Sequence, residues 1–240
     1  MNTINKTIEI EQKFKYNLST LLPQLNSIHA IYIGKKTFID KYYDTTSLFL
    51  LNQNIYLRNR ASIWETKEGL HIKDHSYDKT VKSTIFKETE GNDKVIIELN
   101  RFFNEKNLNS LTVEEFIHHH NMNIYAIIET TRTTYQINDH TKIDLDEAKL
   151  FDTNSDNYTL YSLGEIEIMT TDKNQKSIVE KEIHSIRNSL NIEQYDITKE
   201  PLPSKLDQYL VNILSILIIH RYLHDWKKEI FYSNQFKYLN

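Results

Sequence analysis

The chain has 240 residues, of which 26 % are charged and 39 % are hydrophobic, a composition typical of one soluble globular domain. It contains no cysteine, which excludes disulfide scaffolds, thiolate metal sites and cysteine nucleophiles, and which favours a cytoplasmic location. The net charge of −4 gives no global field that would attract nucleic acid, so a site for a polyanion has to be local.

The glycines and the apolar runs exclude further classes of site. No two of the four glycines are close enough to form a dinucleotide-binding turn or a Walker A loop. The N-terminal residues lack the apolar centre of a signal peptide, and the longest apolar stretch, Leu210 to Ile219, is too short to span a bilayer. We therefore expect neither a membrane nor a nucleic acid as partner, and the sequence leaves open whether the chain is a monomer or an oligomer.

Most of the first 170 residues alternate polar and apolar side chains, the pattern typical of antiparallel strands. The runs with this pattern are Thr7 to Tyr16, Lys36 to Asp44, Ile55 to Ile63, Ile63 to Ile72, Thr84 to Glu90, Val95 to Asn100, Ile124 to Ile137, Thr141 to Ala148 and Ser162 to Thr170. Because short polar loops separate them, they predict a meandering antiparallel sheet.

Three helices are predicted after residue 110. The first begins at about Val113, because Thr112 and Glu115 have the spacing of a capping box. The second covers residues 178–190, where apolar side chains recur at helical spacing. The third begins after Pro203 and has an apolar middle that needs burial. Strands followed by helices, without an internal repeat or a linker, favour one α+β domain.

Five of the predicted strands have one charged face. In the first strand Glu9, Glu11 and Lys13 share a face, and apolar side chains occupy the other. The later charged faces carry Arg58 and Arg60, Glu65 and Lys67, Lys142 with Asp144 and Asp146, and Glu165 and Glu167. A solvated sheet face also alternates, but it intersperses the signs rather than grouping them. The grouping favours a ligand that needs both signs, such as a triphosphate with divalent cations.

A series of motifs occurs in a fixed order along residues 7–212. These motifs are Glu9-x-Glu11-x-Lys13, Tyr56 to Arg60, Trp64 to Lys67, Phe86 to Glu88, Arg132, Asp144 to Asp146, Gly164 to Glu167 and Pro203 to Leu210. Together they resemble the CYTH superfamily, the triphosphate tunnel metalloenzymes, and are most similar to its thiamine triphosphatase branch. The resemblance implies a closed eight-stranded antiparallel β-barrel, the tunnel, with helices packed outside. This tunnel domain is expected over residues 1–215, with residues 216–240 as a helical extension of the same domain.

The resemblance also implies the roles of the site residues. The triphosphate is expected to bind Lys13, Arg58, Arg60, Lys67, Arg132 and Lys205. The metal ligands are expected to be Glu9, Glu11, Asp144, Glu165 and Glu167, and the catalytic set comprises Glu9, Glu11, Lys13, Glu165 and Glu167. Tyr56 takes the position of an aromatic that faces the organic end of the substrate, with a core or rim tyrosine as the alternative. Glu88 matches an acidic position of the tunnel.

The implied activity is metal-dependent hydrolysis of a triphosphate to a diphosphate and phosphate. Thiamine triphosphate is the favoured substrate, and Mg²⁺, or Mn²⁺, is the expected cofactor. One ion would position the phosphate chain, and a second would acidify the attacking water. The alternatives are an inorganic tripolyphosphatase, a class IV adenylyl cyclase and a non-catalytic module that binds polyphosphate or a nucleotide. A module would be expected to lack some of the metal carboxylates, and none is missing.

Overall fold

The computed structural model describes residues 8–70, 83–105, 111–151, 157–171, 175–192 and 202–212. The strands are β1 (Ile8–Phe14), β2 (Ile31–Asp44), β3 (Ile55–Arg60), β4 (Ile63–Gly69), β5 (Thr84–Glu90), β6 (Asn123–Asn138), β7 (Thr141–Phe151) and β8 (Tyr158–Thr170). The helices are α1 (Leu18–Ser27), α2 (Asn92–Phe103), α3 (Val113–His119), α4 (Lys176–Ser189) and α5, over residues 205–212. The chain divides into two compact units, Met1–Leu202 and Pro203–Asn240.

The strands of the first unit close into one barrel. Their order around it is β1-β5-β4-β3-β2-β6-β7-β8, and every neighbouring pair is antiparallel. β1 closes the barrel because it pairs with β5 on one side and with β8 on the other. The prediction of a closed eight-stranded antiparallel barrel is therefore confirmed.

Two apolar clusters cover the outside of this barrel and fix which side chains turn inward. One cluster joins β1, β7 and β8 to α1 and α4, with Ile10, Ile143 and Ile166 fully buried in it. The other joins β3 and β4 to α2 and α3, with Leu57 and Phe116 fully buried. Because successive side chains of a strand point to opposite faces, the residues between these apolar positions point into the barrel.

The helix predictions agree with the structure where it describes them. Thr112 Oγ1 accepts a hydrogen bond from Glu115 N, and the Glu115 carboxylate accepts one from Thr112 N, so the capping box at the start of α3 is present. The stripe over residues 178–190 lies in α4, and α5 follows Ser204 as expected. None of the described helices is long and apolar enough to cross a membrane. The predicted boundary at residue 215 lies outside the described residues.

Two sequence interpretations of secondary structure are wrong. The run Val95 to Asn100, predicted as a strand, belongs to α2, whose buried residues Val95, Ile96 and Leu99 follow helical spacing. Helix α1 was not predicted, because it has only two buried residues and contains Pro23, which normally disfavours a helix interior. Neither change affects the order of the strands that form the barrel.

Candidate active site

The inside of the barrel, called the tunnel here, is lined with charged side chains from all eight strands. The ion-paired residues among them are Glu9, Glu11, Lys13, Asp40, Arg58, Arg60, Glu65, Lys67, Glu88, Arg132, Lys142, Asp144, Asp146, Glu165 and Glu167. Buried charges are tolerated only when they are paired or bind a metal ion. The tunnel therefore suits a ligand that carries both negative and positive charges.

Three carboxylates from β1 and β8 converge in the tunnel. Glu11 lies opposite Glu167 in the β1–β8 register, and Glu9 precedes Glu11 by two residues on the same face. One carboxylate oxygen of Glu9, Glu11 and Glu167 lies within 4.8 Å of the others, and all three residues are buried. Carboxylate oxygens are hard ligands of the kind that Mg²⁺ and Mn²⁺ prefer. These three side chains, called the acidic triad here, therefore fit a divalent cation.

Lysine side chains neutralise part of the acidic triad. Lys67 Nζ donates to Glu9 at 2.9 Å and to Glu11 at 3.1 Å, and Lys13 Nζ also contacts Glu11. Burial tends to raise the pKa of Glu11, but the two ammonium groups outweigh it and lower the pKa. Burial raises the pKa of Glu9 well above its usual range, because Lys67 does not compensate for the desolvation and Glu167 adds repulsion. Glu9 is thus the member of the triad that holds a proton most readily.

Arg132 on β6 is the centre of a second group of carboxylates. Its guanidinium lies 2.6 Å from Asp144, 2.7 Å from Asp146, 2.8 Å from Glu165 and 3.5 Å from Glu167. Burial would lower the pKa of Arg132, yet the surrounding carboxylates raise it well above its usual range. Lys142 Nζ also lies 2.6 Å from Glu167 and 3.4 Å from Asp144. Two cations face four anions here, so this part of the tunnel still has negative charge that a bound cation would balance.

A wall rich in cations lies on β2 and β3. Arg58 Nε donates to Glu65 at 2.5 Å, and Arg60 donates to both oxygens of Asp40 at 2.6 and 2.7 Å. A cavity of about 410 Å³ adjoins this wall. It is lined by Lys36, Thr37, Phe38, Arg58, Arg60, Ala61, Ile63, Glu65, Glu88, Thr89 and Glu90. The cavity therefore joins guanidinium groups, which bind phosphate well, to a space larger than one phosphate group.

The comparison with known protein families agrees with this geometry. The sequence matches the CYTH domain over residues 7–200, which is most of the chain. The chain belongs to the CYTH family. No curated protein matches the sequence.

Solved structures share the CYTH tunnel fold at low sequence identity. A Vibrio parahaemolyticus protein assigned as a candidate adenylate cyclase is 16 % identical, with a TM-score of 0.53 over 85 % of this chain and 98 % of that one. A Pyrococcus horikoshii protein is 16 % identical, with a TM-score of 0.54 over 85 % and 99 %. A candidate adenylyl cyclase from Hippeastrum, described as having a dominant triphosphatase activity, is 13 % identical, with a TM-score of 0.51 over 86 % and 96 %. At these identities the likeness shows the fold alone.

The CYTH tunnel brings most of the predicted site residues together, although their roles stay predictions. Tyr56 lies on the inward face of β3, where its hydroxyl donates to Asn54 Oδ1 at 2.8 Å and its ring packs edge-on against Phe86. It does not line the cavity of about 410 Å³. Lys205 begins α5 in the second compact unit, and its predicted contact with the triphosphate stays untested.

Four of the ion-paired tunnel residues have no role in the sequence interpretation, and Glu65, the partner of Arg58, is one of them. Asp40 pairs with Arg60, Asp146 pairs with Arg132, and Lys142 donates to Glu167 at 2.6 Å. The alternation of β7 did place Lys142 and Asp146 on the face of Asp144, but it assigned no role to either of them. The sequence did not single out Asp40 as a tunnel residue, because both faces of β2 carry polar residues.

Proposed function

We propose that this CYTH protein hydrolyses a triphosphate to a diphosphate and phosphate with the help of a divalent cation. The observation that carries the proposal is the closed tunnel in which the acidic triad lies beside arginine and lysine side chains. Such an interior suits a metal-bound polyphosphate, because carboxylates take the metal and guanidinium groups take the phosphate oxygens. The triphosphatase activity described for the Hippeastrum protein with this fold supports the same class of reaction.

Different side chains of the tunnel would bind the metal ions and the phosphate groups. Glu9, Glu11 and Glu167 would hold a divalent ion, and the carboxylates of Asp144 and Glu165 are available for a second. A bound ion supplies Lewis-acid stabilisation of phosphate oxygens and lowers the pKa of an attacking water. Because the pKa of Glu9 is raised by burial, a proton competes with the ion for this carboxylate.

The cations would bind the phosphate chain and stabilise the charge that develops during transfer. Arg58, Arg60, Lys67 and Arg132 are paired with carboxylates, so a triphosphate would take over part of these contacts as it enters. Arg132 is buried and the other three are partly buried, so water screens their contacts to phosphate oxygens less than it would at the surface. Positioning and charge stabilisation provide most of the catalysis in phosphoryl transfer, which needs no serine, cysteine or histidine nucleophile.

Thiamine triphosphate is the substrate we favour. The cavity of about 410 Å³ beside Arg58 and Arg60 has room for an organic group in addition to phosphates. Inorganic tripolyphosphate is the second candidate, since the acidic triad and the cations could recognise it without an organic group. Both substrates use the same metal and phosphate contacts.

The experiment is to measure phosphate released from thiamine triphosphate, tripolyphosphate and ATP by the purified protein with Mg²⁺, and to compare the kcat/KM values. We expect phosphate from at least one of them and the highest kcat/KM for thiamine triphosphate. A higher value for tripolyphosphate would retain the triphosphatase but reject the organic substrate. Release of pyrophosphate and cyclic AMP from ATP, without phosphate, would reject hydrolysis in favour of a cyclase. No product from any substrate would reject the proposed function.

A further inference from the structure

The guanidinium of Arg60 is held from two directions. In its plane, Nε donates to Asp40 Oδ1 at 2.6 Å and Nη2 donates to Asp40 Oδ2 at 2.7 Å. Across its plane, its central carbon lies 4.1 Å from the centre of the Phe38 ring. A bidentate carboxylate and a ring face together fix the orientation of an arginine more strongly than either does alone. Arg60 is thus a preorganised group on the wall of the cavity.

Asp40 has no evident reason to be in a site for a polyanion. It is fully buried on β2, directly opposite Arg60 in the β2–β3 register. Its negative charge also acts on neighbouring Arg58. A buried carboxylate beside these cations repels phosphate and lowers the affinity for it. Its contribution should therefore lie in the geometry of Arg60 and in a limit on phosphate affinity.

We propose that Asp40 is a positioning residue that orients Arg60 toward the phosphate chain and keeps the tunnel from holding the diphosphate product too tightly. This inference rests on the proposed function. An arginine has five N–H donors, and Asp40 occupies the edge formed by Nε and Nη2, which leaves donors for a phosphate in the cavity. Because the fork is already oriented, no reorganisation is needed when charge develops on the transferred group.

Two substitutions of Asp40 separate its charge from its geometry. Asp40→Asn removes the charge, so the dissociation constant for diphosphate with Mg²⁺ should fall about 3- to 10-fold, and kcat should fall about 10-fold because Arg60 is no longer held. Asp40→Glu keeps the charge but displaces the guanidinium, so it should lower kcat and leave the dissociation constant unchanged. Calorimetry measures the dissociation constants, and phosphate release measures kcat.

Asp44→Asn is the matched control on the same strand. Asp44 is equally buried, but its carboxylate accepts hydrogen bonds from the backbone N–H groups of Leu50 and Leu51 rather than from a tunnel cation. Its substitution should lower Tm without changing kcat or diphosphate affinity. If Asp40→Asn behaves like this control, or weakens diphosphate binding, the proposal is wrong. If Asp40→Asn does not fold, Phe38→Leu provides a second test, because it removes the ring that packs against Arg60. The proposal then requires that Phe38→Leu lower kcat without changing diphosphate affinity.

The two proposals fail in different ways. If the wild-type protein releases no phosphate from any triphosphate, the proposed function is wrong, whereas the calorimetric comparison of Asp40→Asn with Asp44→Asn still reports on Arg60. If the wild-type protein is active and neither Asp40 variant changes kcat, the role of Asp40 is wrong and the triphosphatase stands.

Discussion

Glu9 and Glu88 both lie close to Lys67 Nζ, at 2.9 and 3.3 Å, yet their pKa values move in opposite directions. Burial raises the pKa of Glu9 well above its usual range, and its carboxylate neighbours add to the effect. Burial also tends to raise the pKa of Glu88, whose side chain is more exposed than that of Glu9, but Lys67, Arg58 and a hydrogen bond with Glu9 outweigh it and lower the pKa to about 2. Glu88 therefore stays ionised and keeps a permanent partner for Lys67. Glu9 lacks sufficient compensation, as expected of a residue whose full partner is a metal ion.

Glu9→Gln should remove turnover and stabilise the metal-free protein. Substitution of a residue that only orients a metal ligand lowers metal affinity or activity by about 10- to 100-fold. Loss of a ligand itself should therefore lower kcat/KM by more than about 100-fold. The pKa of Glu9 is higher in the folded than in the unfolded protein. Its protonation therefore contributes to the free energy of unfolding below the unfolded pKa, and this contribution is lost as the pH rises through the folded pKa. The neutral amide does not ionise, so Tm measured without metal should be higher than that of the wild type at alkaline pH.

The control for Glu9→Gln is Glu129→Gln on β6, which removes a carboxylate paired with the half-exposed Lys149. This variant should retain the kcat/KM of the wild type and change Tm only slightly. Full activity of Glu9→Gln would contradict the metal role of the triad. A lower metal-free Tm throughout the pH range would contradict the assignment of a buried, destabilising charge.

At the scale of residues, the period-two pattern was sufficient to place Glu9 and Glu11 on one face, but not to predict what each charge contacts. The pattern shows which face of its strand a side chain occupies. Which residue that side chain contacts depends on the register between strands that are distant in sequence. Asp40 and Arg60 are opposite each other only because β2 and β3 pair in one particular register. That register depends on the connection between the strands, which contains a 3₁₀ helix at Leu51–Gln53, and on the packing outside the barrel, and charge patterning reveals neither.

At the scale of elements, the long alternating strands were easier to predict than the helices that cover them. The run Val95 to Asn100 is apolar enough to fit either period, and only its packing against β4 and β5 in the fold makes it part of a helix. α3 was predictable because its capping box is a local interaction between Thr112 and Glu115. The local capping box thus identified α3, whereas α2 was missed because its apolar run fits both periods.

The capping box of α3 gives a prediction that separates stability from activity. Thr112→Ala removes the oxygen that accepts from Glu115 N and should lower the free energy of unfolding by about 1 kcal/mol. α3 packs on the outside of the barrel, so kcat/KM should not change. Urea unfolding and phosphate release measure the two effects, and Thr112→Ser, which keeps the oxygen, is the control. A loss of activity in folded Thr112→Ala would show that α3 contributes to the tunnel.

A close contact between β1 and β8 gives a second prediction at this scale. Gly164 lies opposite Phe14 in the register, and a Cβ at Gly164 would overlap the Phe14 ring. Gly164→Ala should therefore displace β1 from β8, which carry the carboxylates of the acidic triad, and should lower both Tm and kcat/KM. Adding Phe14→Leu makes room for the methyl group, so the double variant should lose less than the two single losses combined. Additive losses would contradict the contact.

At the scale of the whole molecule, the described part of the tunnel holds more negative than positive side chains. Its ion-paired carboxylates are Glu9, Glu11, Asp40, Glu65, Glu88, Asp144, Asp146, Glu165 and Glu167, and its ion-paired cations are Lys13, Arg58, Arg60, Lys67, Arg132 and Lys142. Lys36 and Glu90, which line the cavity, add one charge of each sign. A triphosphate would be repelled by this excess unless divalent ions entered with it or before it. Under the proposed function, the charge of the interior therefore predicts that a divalent ion binds before or together with the substrate.

The acidic triad also connects metal binding to the stability of the barrel. Glu9 and Glu11 lie on β1 and Glu167 lies on β8, so a bound ion would join the first and last strands where the barrel closes. Mg²⁺ should therefore raise Tm, and because protons compete for the raised-pKa groups Glu9 and Glu167, the increase should grow as the pH rises above 4.5. Scanning calorimetry with and without Mg²⁺ at several pH values measures this effect. Glu167→Gln should abolish it, whereas Glu129→Gln should retain it, and an equal Mg²⁺ effect in both variants would place the ion elsewhere.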